Sequence, residues 1–217
     1  MKVELENVKP MDIEKRSFEI ITEELGDTPL VPGTELVVKR CIHTSADFDY
    51  AKNLCFSQDV IEKAMDAIRN GACIVTDTQM AKSGINKRAL ARYGGEVYCF
   101  MSDEDVAAAA KAAGTTRATA SMDKAAALPE ALAGGLIMAV GNAPTALIRL
   151  DELMKEGKIK PALIIGVPVG FVNVVESKEL IMNSGASYIV ARGRKGGSNV
   201  AAAICNALLY QATGRRL

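Results

Sequence analysis

Over the last three quarters of the chain, short continuously apolar runs alternate with longer segments of helical spacing, and this alternation constrains the fold more than any other feature. The runs fall at 72–77, 96–101, 136–141, 162–167 and 187–192 and are rich in Val and Ile. A strand covered on one face alternates apolar and polar residues, whereas a strand covered on both faces reads as unbroken apolar sequence. Between the runs, 59–70, 103–113, 144–156, 174–183 and 198–212 carry apolar residues three and four apart. Parallel strands need long crossovers, which helices supply with right-handed connections. The pattern therefore predicts an α/β fold: a three-layer, doubly wound, mostly parallel sheet of about five strands, in a single domain over 1–217 with a helical N-terminal segment.

The helix ends are punctuated. Gly71, Gly114, Gly157 and Gly185 stand where a helix closes on a left-handed residue. Ser102, Asn142 and Ser198 are placed to cap the helices that follow them. Among the first seventy residues, 11–25 reads as an amphipathic helix with Ile13, Phe18, Ile21 and Leu25 as its apolar stripe. A stiff turn at 29–33 leads into a second helix over 34–46.

Composition narrows the function classes. Lys plus Arg equals Asp plus Glu at 26 each, so no global charge draws the protein to nucleic acid or an anionic membrane. The roughly 18 consecutive apolar residues of a spanning helix occur nowhere. The charged opening MKVELENVKPMDIEKRSFEII lacks a signal-peptide core, so a soluble, cytoplasmic protein is expected. The five cysteines, at 41, 55, 73, 99 and 205, never form a C-x-x-C pair, and with one histidine they make no zinc set. Most sit in apolar company and read as small buried hydrophobes. No metal and no cofactor is expected.

That one histidine, His43, lies in the polar run RCIHTSADFDY over 40–50 and is the first candidate for proton chemistry near neutrality. The plainer reading has it capping or bridging on a helix. Arg40 stands three residues earlier on the same helix face, where a guanidinium can hold a carboxylate while the imidazole reaches a proton. Asp47 and Asp49 can orient the imidazole or cap the helix end, and the sequence does not choose. In open parallel sheets ligands bind beyond the carboxyl ends of strands. Four loops there, 77–80, 141–145, 166–171 and 192–199, include stretches rich in Gly, Asn or Pro, and the last adds Arg192, Arg194 and Lys195. Backbone N–H groups at helix starts favour an anion, but neither the P-loop nor the dinucleotide fingerprint is present. Permissive loops without a phosphate signature suggest a bulky ligand carrying carboxylates.

Taken in order, IEKRSFEII at 13–21, RCIHTSADFDY at 40–50, GNAPTAL at 141–147, PVGFV at 168–172 with ESK at 176–178, and RKGGS at 194–198 give the chain a specific likeness. It resembles the precorrin-8X methylmutases, also called cobalt-precorrin-8 methylmutases, of corrin biosynthesis. The resemblance implies an isomerase that moves the ring C methyl of a tetrapyrrole from C-11 to C-12 by a [1,5]-sigmatropic shift, giving hydrogenobyrinate or, with cobalt inserted, cobyrinate. It implies that His43 donates and recovers a proton at the ring C nitrogen, and that Ser17 and Arg40 bind substrate. Arg16, Thr44, Asn142, Arg117, Arg194 and Lys195 are the further substrate-binding candidates. It also implies a homodimer with the site near the subunit interface. The competing readings are a non-catalytic corrinoid carrier and a phosphosugar- or nucleotide-binding α/β enzyme.

Overall fold

The computed structural model describes residues 5–131, 133 and 135–214. In chain order they form α1 (Ile13–Leu25), α2 (Glu35–Ser45), α3 (Tyr50–Asn53), β1 (Leu54–Phe56), α4 (Val60–Arg69), β2 (Cys73–Thr76), α5 (Gln79–Gly84), α6 (Lys87–Ala91) and β3 (Val97–Tyr98). The second half holds α7 (Glu104–Ala113), α8 (Arg117–Ala126), β4 (Leu136–Val140), α9 (Pro144–Lys155), β5 (Leu163–Gly166), α10 (Val174–Met182), β6 (Tyr188–Ala191) and α11 (Ser198–Ala212).

Among the described residues the sheet has six strands in the order β1-β6-β5-β4-β2-β3. Five are parallel and lie within the five predicted runs. The sixth, β1, was not foreseen. It is three residues long and pairs antiparallel with β6, Leu54 opposite Ala191. Alternate residues of the parallel strands divide between two cores: Ile137 and Ala139 of β4 face one, and Leu136, Met138 and Val140 face the other. This division is why their sequences are apolar without interruption. The first core joins the sheet to α2, α4 and α11, and the second joins it to α7, α8, α9 and α10.

The helix stops behave as read, since Gly71, Gly114, Gly157 and Gly185 all have positive φ. The three expected N-caps do not cap. The capping positions of their helices are Asp103, Ala143 and Gly197, each without a side-chain cap bond. Thr78, Asn86 and Thr116 cap instead, accepting from the N–H groups of Ala81, Ala89 and Thr119 at the starts of α5, α6 and α8, three helices the sequence reading did not delimit. Ile13 also departs from expectation. It opens α1 and stays exposed, while Phe18, Ile21 and Leu25 are buried.

α11 positions the site. Nine of its fifteen residues are buried, several of them alanines that permit close helix packing. At Gly84 a Cβ would stand 2.9 Å from the Ala202 Cβ, so α5 meets α11 at that point only because residue 84 has no side chain.

Candidate active site

Strand order puts the topological switch point between β2 and β4, where the connections leave in opposite directions and an open crevice is expected. The protein fills that crevice itself. The fully buried carboxylate of Asp77 accepts from the N–H groups of Gly141 at 2.8 Å, Asn142 at 2.8 Å and Ala143 at 2.7 Å. Burial pushes this carboxyl up, and the three N–H groups pull it back. The anion seat at the start of α9 is thus taken by a side chain, and the main-chain N–H of Asn142 is spent on it.

The cavity that holds His43 lies beside this point, between α2, the end of α5 and the exposed stripe of α11. Arg40, His43 and Thr44 form one wall, and Gly84, Asn199, Ala202, Ala203 and Asn206 form the rest. Its volume is about 230 Å³, below the roughly 300–1,000 Å³ of ordinary small-molecule sites. It accommodates an edge of a large ligand, with the remainder outside.

α2 buries Val37, Val38, Cys41 and Ile42, which turns the adjoining face, with Arg40 and His43, toward the cavity. The His43 ring packs on Phe18 of α1 with centroids 5.3 Å apart. No described residue hydrogen-bonds its nitrogens, so they are available to a ligand. Ala46 in the left-handed region ends α2, its N–H bonding the Ile42 carbonyl at 2.7 Å.

Arg40 is held more tightly. Its guanidinium lies between the rings of Phe18 and Tyr210, 5.0 and 4.8 Å from their centroids. One terminal nitrogen, Nη1, reaches Glu14 at 2.7 Å. The side-on pair, Nε and Nη2, is buried without a hydrogen-bond partner among the described residues. Two coplanar N–H donors on one edge of a guanidinium match the two oxygens of a carboxylate.

The other candidates lie outside this cavity. Arg16 sits on α1 in ion pairs with Glu6, Glu19 and Glu23, and half-buried Ser17 is next to Phe18. Arg117 opens α8 in the opposite helical layer. In the loop before α11, Lys195 binds Asp47 and Asp49 at 2.6 Å each, Arg192 binds Glu179, and Arg194 lies over the Phe171 ring at 5.3 Å. The two aspartates therefore tie the end of α2 to this loop and do not touch the imidazole. Beneath the loop, the buried Lys178 donates to the carbonyls of Gly193 at 2.7 Å and Lys195 at 2.9 Å.

Sequence reasoning missed the α11 wall. Asn199 and Asn206 are seven apart, with Ala202 and Ala203 between, and mark a polar stripe on an otherwise apolar helix. That spacing was the available signal. Asn206 also joins helices, donating to the Gly84 carbonyl at 2.9 Å and accepting from the Asn86 N–H at 2.8 Å.

Comparison with known proteins identifies the family. The family model described as Precorrin-8X methylmutase matches residues 12–211. The chain is 47% identical to a cobalt-precorrin-8 methylmutase of Priestia megaterium, covering 93% of this chain and 88% of that one. It is also 47% identical to the cobalt-precorrin-8 methylmutase of Salmonella typhimurium, over 93% and 95% of the two chains. The crystal structure of a precorrin-8x methyl mutase from Thermus thermophilus superposes with a TM-score of 0.84 at 38% identity, covering 94% of this chain and 98% of that one.

Proposed function

Because the chain belongs to the precorrin-8X methylmutase family, we propose that its His43 cavity performs the proton transfer of that isomerisation, with Arg40 as the carboxylate anchor. The protein is an isomerase of cobalamin biosynthesis. The observation that carries the site assignment is Arg40, whose Nε and Nη2 are buried without a partner among the described residues, standing in the wall of one cavity with an imidazole that no described residue engages.

In this reading a carboxylate arm of the tetrapyrrole docks on Arg40 and brings ring C against His43. The imidazole donates a proton to the ring C nitrogen, which withdraws electron density from the conjugated system and lowers the barrier to methyl migration from C-11 to C-12. Return of the proton to His43 leaves the more conjugated product. A positioned acid/base contributes about 10²–10⁴-fold, and the migration itself needs no redox partner. Thr44 follows His43, and Ser17 precedes Phe18, the ring on which both Arg40 and His43 pack. Arg16, Asn142, Arg194 and Lys195 serve arms further out, and Arg117, in the opposite helical layer, serves one only across the interface with a second copy. We place the whole of 1–217 in one methylmutase domain. The reaction is proposed to act on the cobalt-bearing precursor, as the names of the two relatives at 47% identity suggest. A homodimer is proposed as well. Val169, Phe171 and Val172 are exposed beside Arg194 and offer apolar area for a second copy.

The test is an absorbance titration with hydrogenobyrinic and cobyrinic acids, together with turnover of precorrin-8X and cobalt-precorrin-8, on wild type and His43→Ala. The variant is expected to bind product and to lose isomerisation by at least about 100-fold. Wild-type turnover in the variant removes the imidazole from the mechanism. Binding without turnover in the wild type leaves a corrinoid carrier. Sedimentation velocity reads the oligomeric state.

A further inference from the structure

The polar stripe of α11 does not stop at the His43 cavity. Beyond Asn206 the same helix face continues with Tyr210 and Thr213, which floor a second cavity of about 370 Å³. Its opposite wall is α6 and the residue that follows it, with Asn86, Arg88, Ala89 and Arg92. The two cavities share a divider. Asn206 lines the first and bonds Asn86 of the second, and the Arg40 guanidinium of the first lies over the Tyr210 ring of the second. At about 1.5 Å of rise per residue, Tyr210 and Thr213 stand roughly 10–15 Å along the helix from Ala203. A four-ring macrocycle with acetate and propionate arms spans such a distance.

The second cavity is cationic and uncompensated. Arg88 and Arg92 are four residues apart and share a helix face, where like charges repel. Among the described residues no acidic side chain lines the cavity, and neither arginine forms an ion pair. Arg16, Arg40, Arg69, Arg149 and Arg192 lie against carboxylates, whereas among the described residues Arg88 and Arg92 share the unpaired state with Arg117 and Arg194 and differ from those two in lining one cavity together. Two exposed guanidinium groups beside a Tyr, a Thr and an Asn make a seat for a ligand carboxylate. The first cavity is too small for the whole substrate, and this face adjoins it directly through Asn206 and Tyr210.

We propose that Arg88 and Arg92 form a second carboxylate subsite, holding the acidic arms at the edge of the tetrapyrrole remote from His43. The proposal rests on the methylmutase reading. These are binding and positioning residues and do not touch the migrating methyl group.

The test uses three paired variants: Arg88→Lys with Arg92→Lys, Arg88→Gln with Arg92→Gln, and Arg88→Glu with Arg92→Glu. Hydrogenobyrinic and cobyrinic acids are titrated into each, and turnover of precorrin-8X and cobalt-precorrin-8 is measured alongside. The Lys pair is expected to stay near wild type, the Gln pair to bind about 10- to 100-fold more weakly, and the Glu pair more weakly still. The loss is expected in KM, and raised salt narrows the gap between the pairs. A Gln pair that binds like wild type overturns the subsite, and so does a loss that is the same in all three pairs. A wild-type protein that neither binds nor isomerises corrinoids overturns the methylmutase reading too, which separates the two failures.

Discussion

Replacing Arg40 with Met separates its binding role from its place in the fold. Arg40 is 8% exposed, and two of its guanidinium donors have no partner among the described residues. Each such buried donor costs about 1–3 kcal/mol, so the unliganded protein carries about 2–6 kcal/mol of unfavourable desolvation at this residue. Against it stand two cation–π contacts, at about 0.5–2 kcal/mol each, and the ion pair with the half-exposed Glu14. Methionine removes the stranded donors and keeps an unbranched chain between Phe18 and Tyr210. The change in unfolding free energy is therefore expected to lie within about 1 kcal/mol of zero. Product binding loses two charge-assisted hydrogen bonds at about 1.5–3 kcal/mol each. A loss of about 3 kcal/mol or more weakens Kd at least about 100-fold. Arg40→Lys keeps the charge without the fork and falls between. Urea unfolding followed by circular dichroism, in parallel with corrinoid titration, reads both effects. Arg40→Met losing more than about 3 kcal/mol of stability, the signature of a broken structural pair, refutes the reasoning, as does wild-type affinity.

Three further perturbations probe the frame around the site. Burial pushes the Lys178 ammonium down to about 8, below its usual value near about 10.4. Below pH 8 both folded and unfolded chains hold the proton and the burial penalty is present in full. Between 8 and about 10.4 the unfolded chain holds more proton, so this group's contribution to stability rises with pH, by about 3 kcal/mol in all. The neutral amine still donates to both carbonyls, and the rise should be absent from Lys178→Met and appear as a growing stability difference between wild type and variant in urea unfolding from pH 7 to 10. Asp77→Asn places an amide where three backbone N–H groups converge, and a loss of about 2–4 kcal/mol is expected in the same assay. Ala46→Gly removes a left-handed penalty of about 1–2 kcal/mol at the end of α2 and adds back about 0.5–1 kcal/mol of unfolded-chain entropy. A net gain of about 0.5–1 kcal/mol in thermal or urea unfolding follows.

Much of this molecule was legible from residue order. The five parallel strands announced themselves because both faces of each are covered, so no polar residue interrupts a run such as Leu136–Val140. β1 did not, because three residues on an edge carry no periodicity. The caps were misplaced for a related reason. Ser102, Asn142 and Ser198 have suitable side chains near helix starts, but capping depends on backbone geometry one residue away, which composition does not report. His43 and Arg40 were identified, and the prediction that they share a helix face holds in the cavity they line.

Sequence alone determined the layered α/β frame, the positions of its helix stops and the family, because burial pattern, glycine conformation and motif order are local properties of the chain. Tertiary structure alone decided which groups meet. It brought Asp77 onto N–H groups more than sixty residues away, and Lys195 onto Asp47 and Asp49. It set α11 as the floor of two adjoining cavities, and it left one edge of Arg40 buried without a hydrogen-bond partner among the described residues. Long-range pairing is set by strand order and helix packing, and neither leaves a trace in the spacing of neighbouring residues.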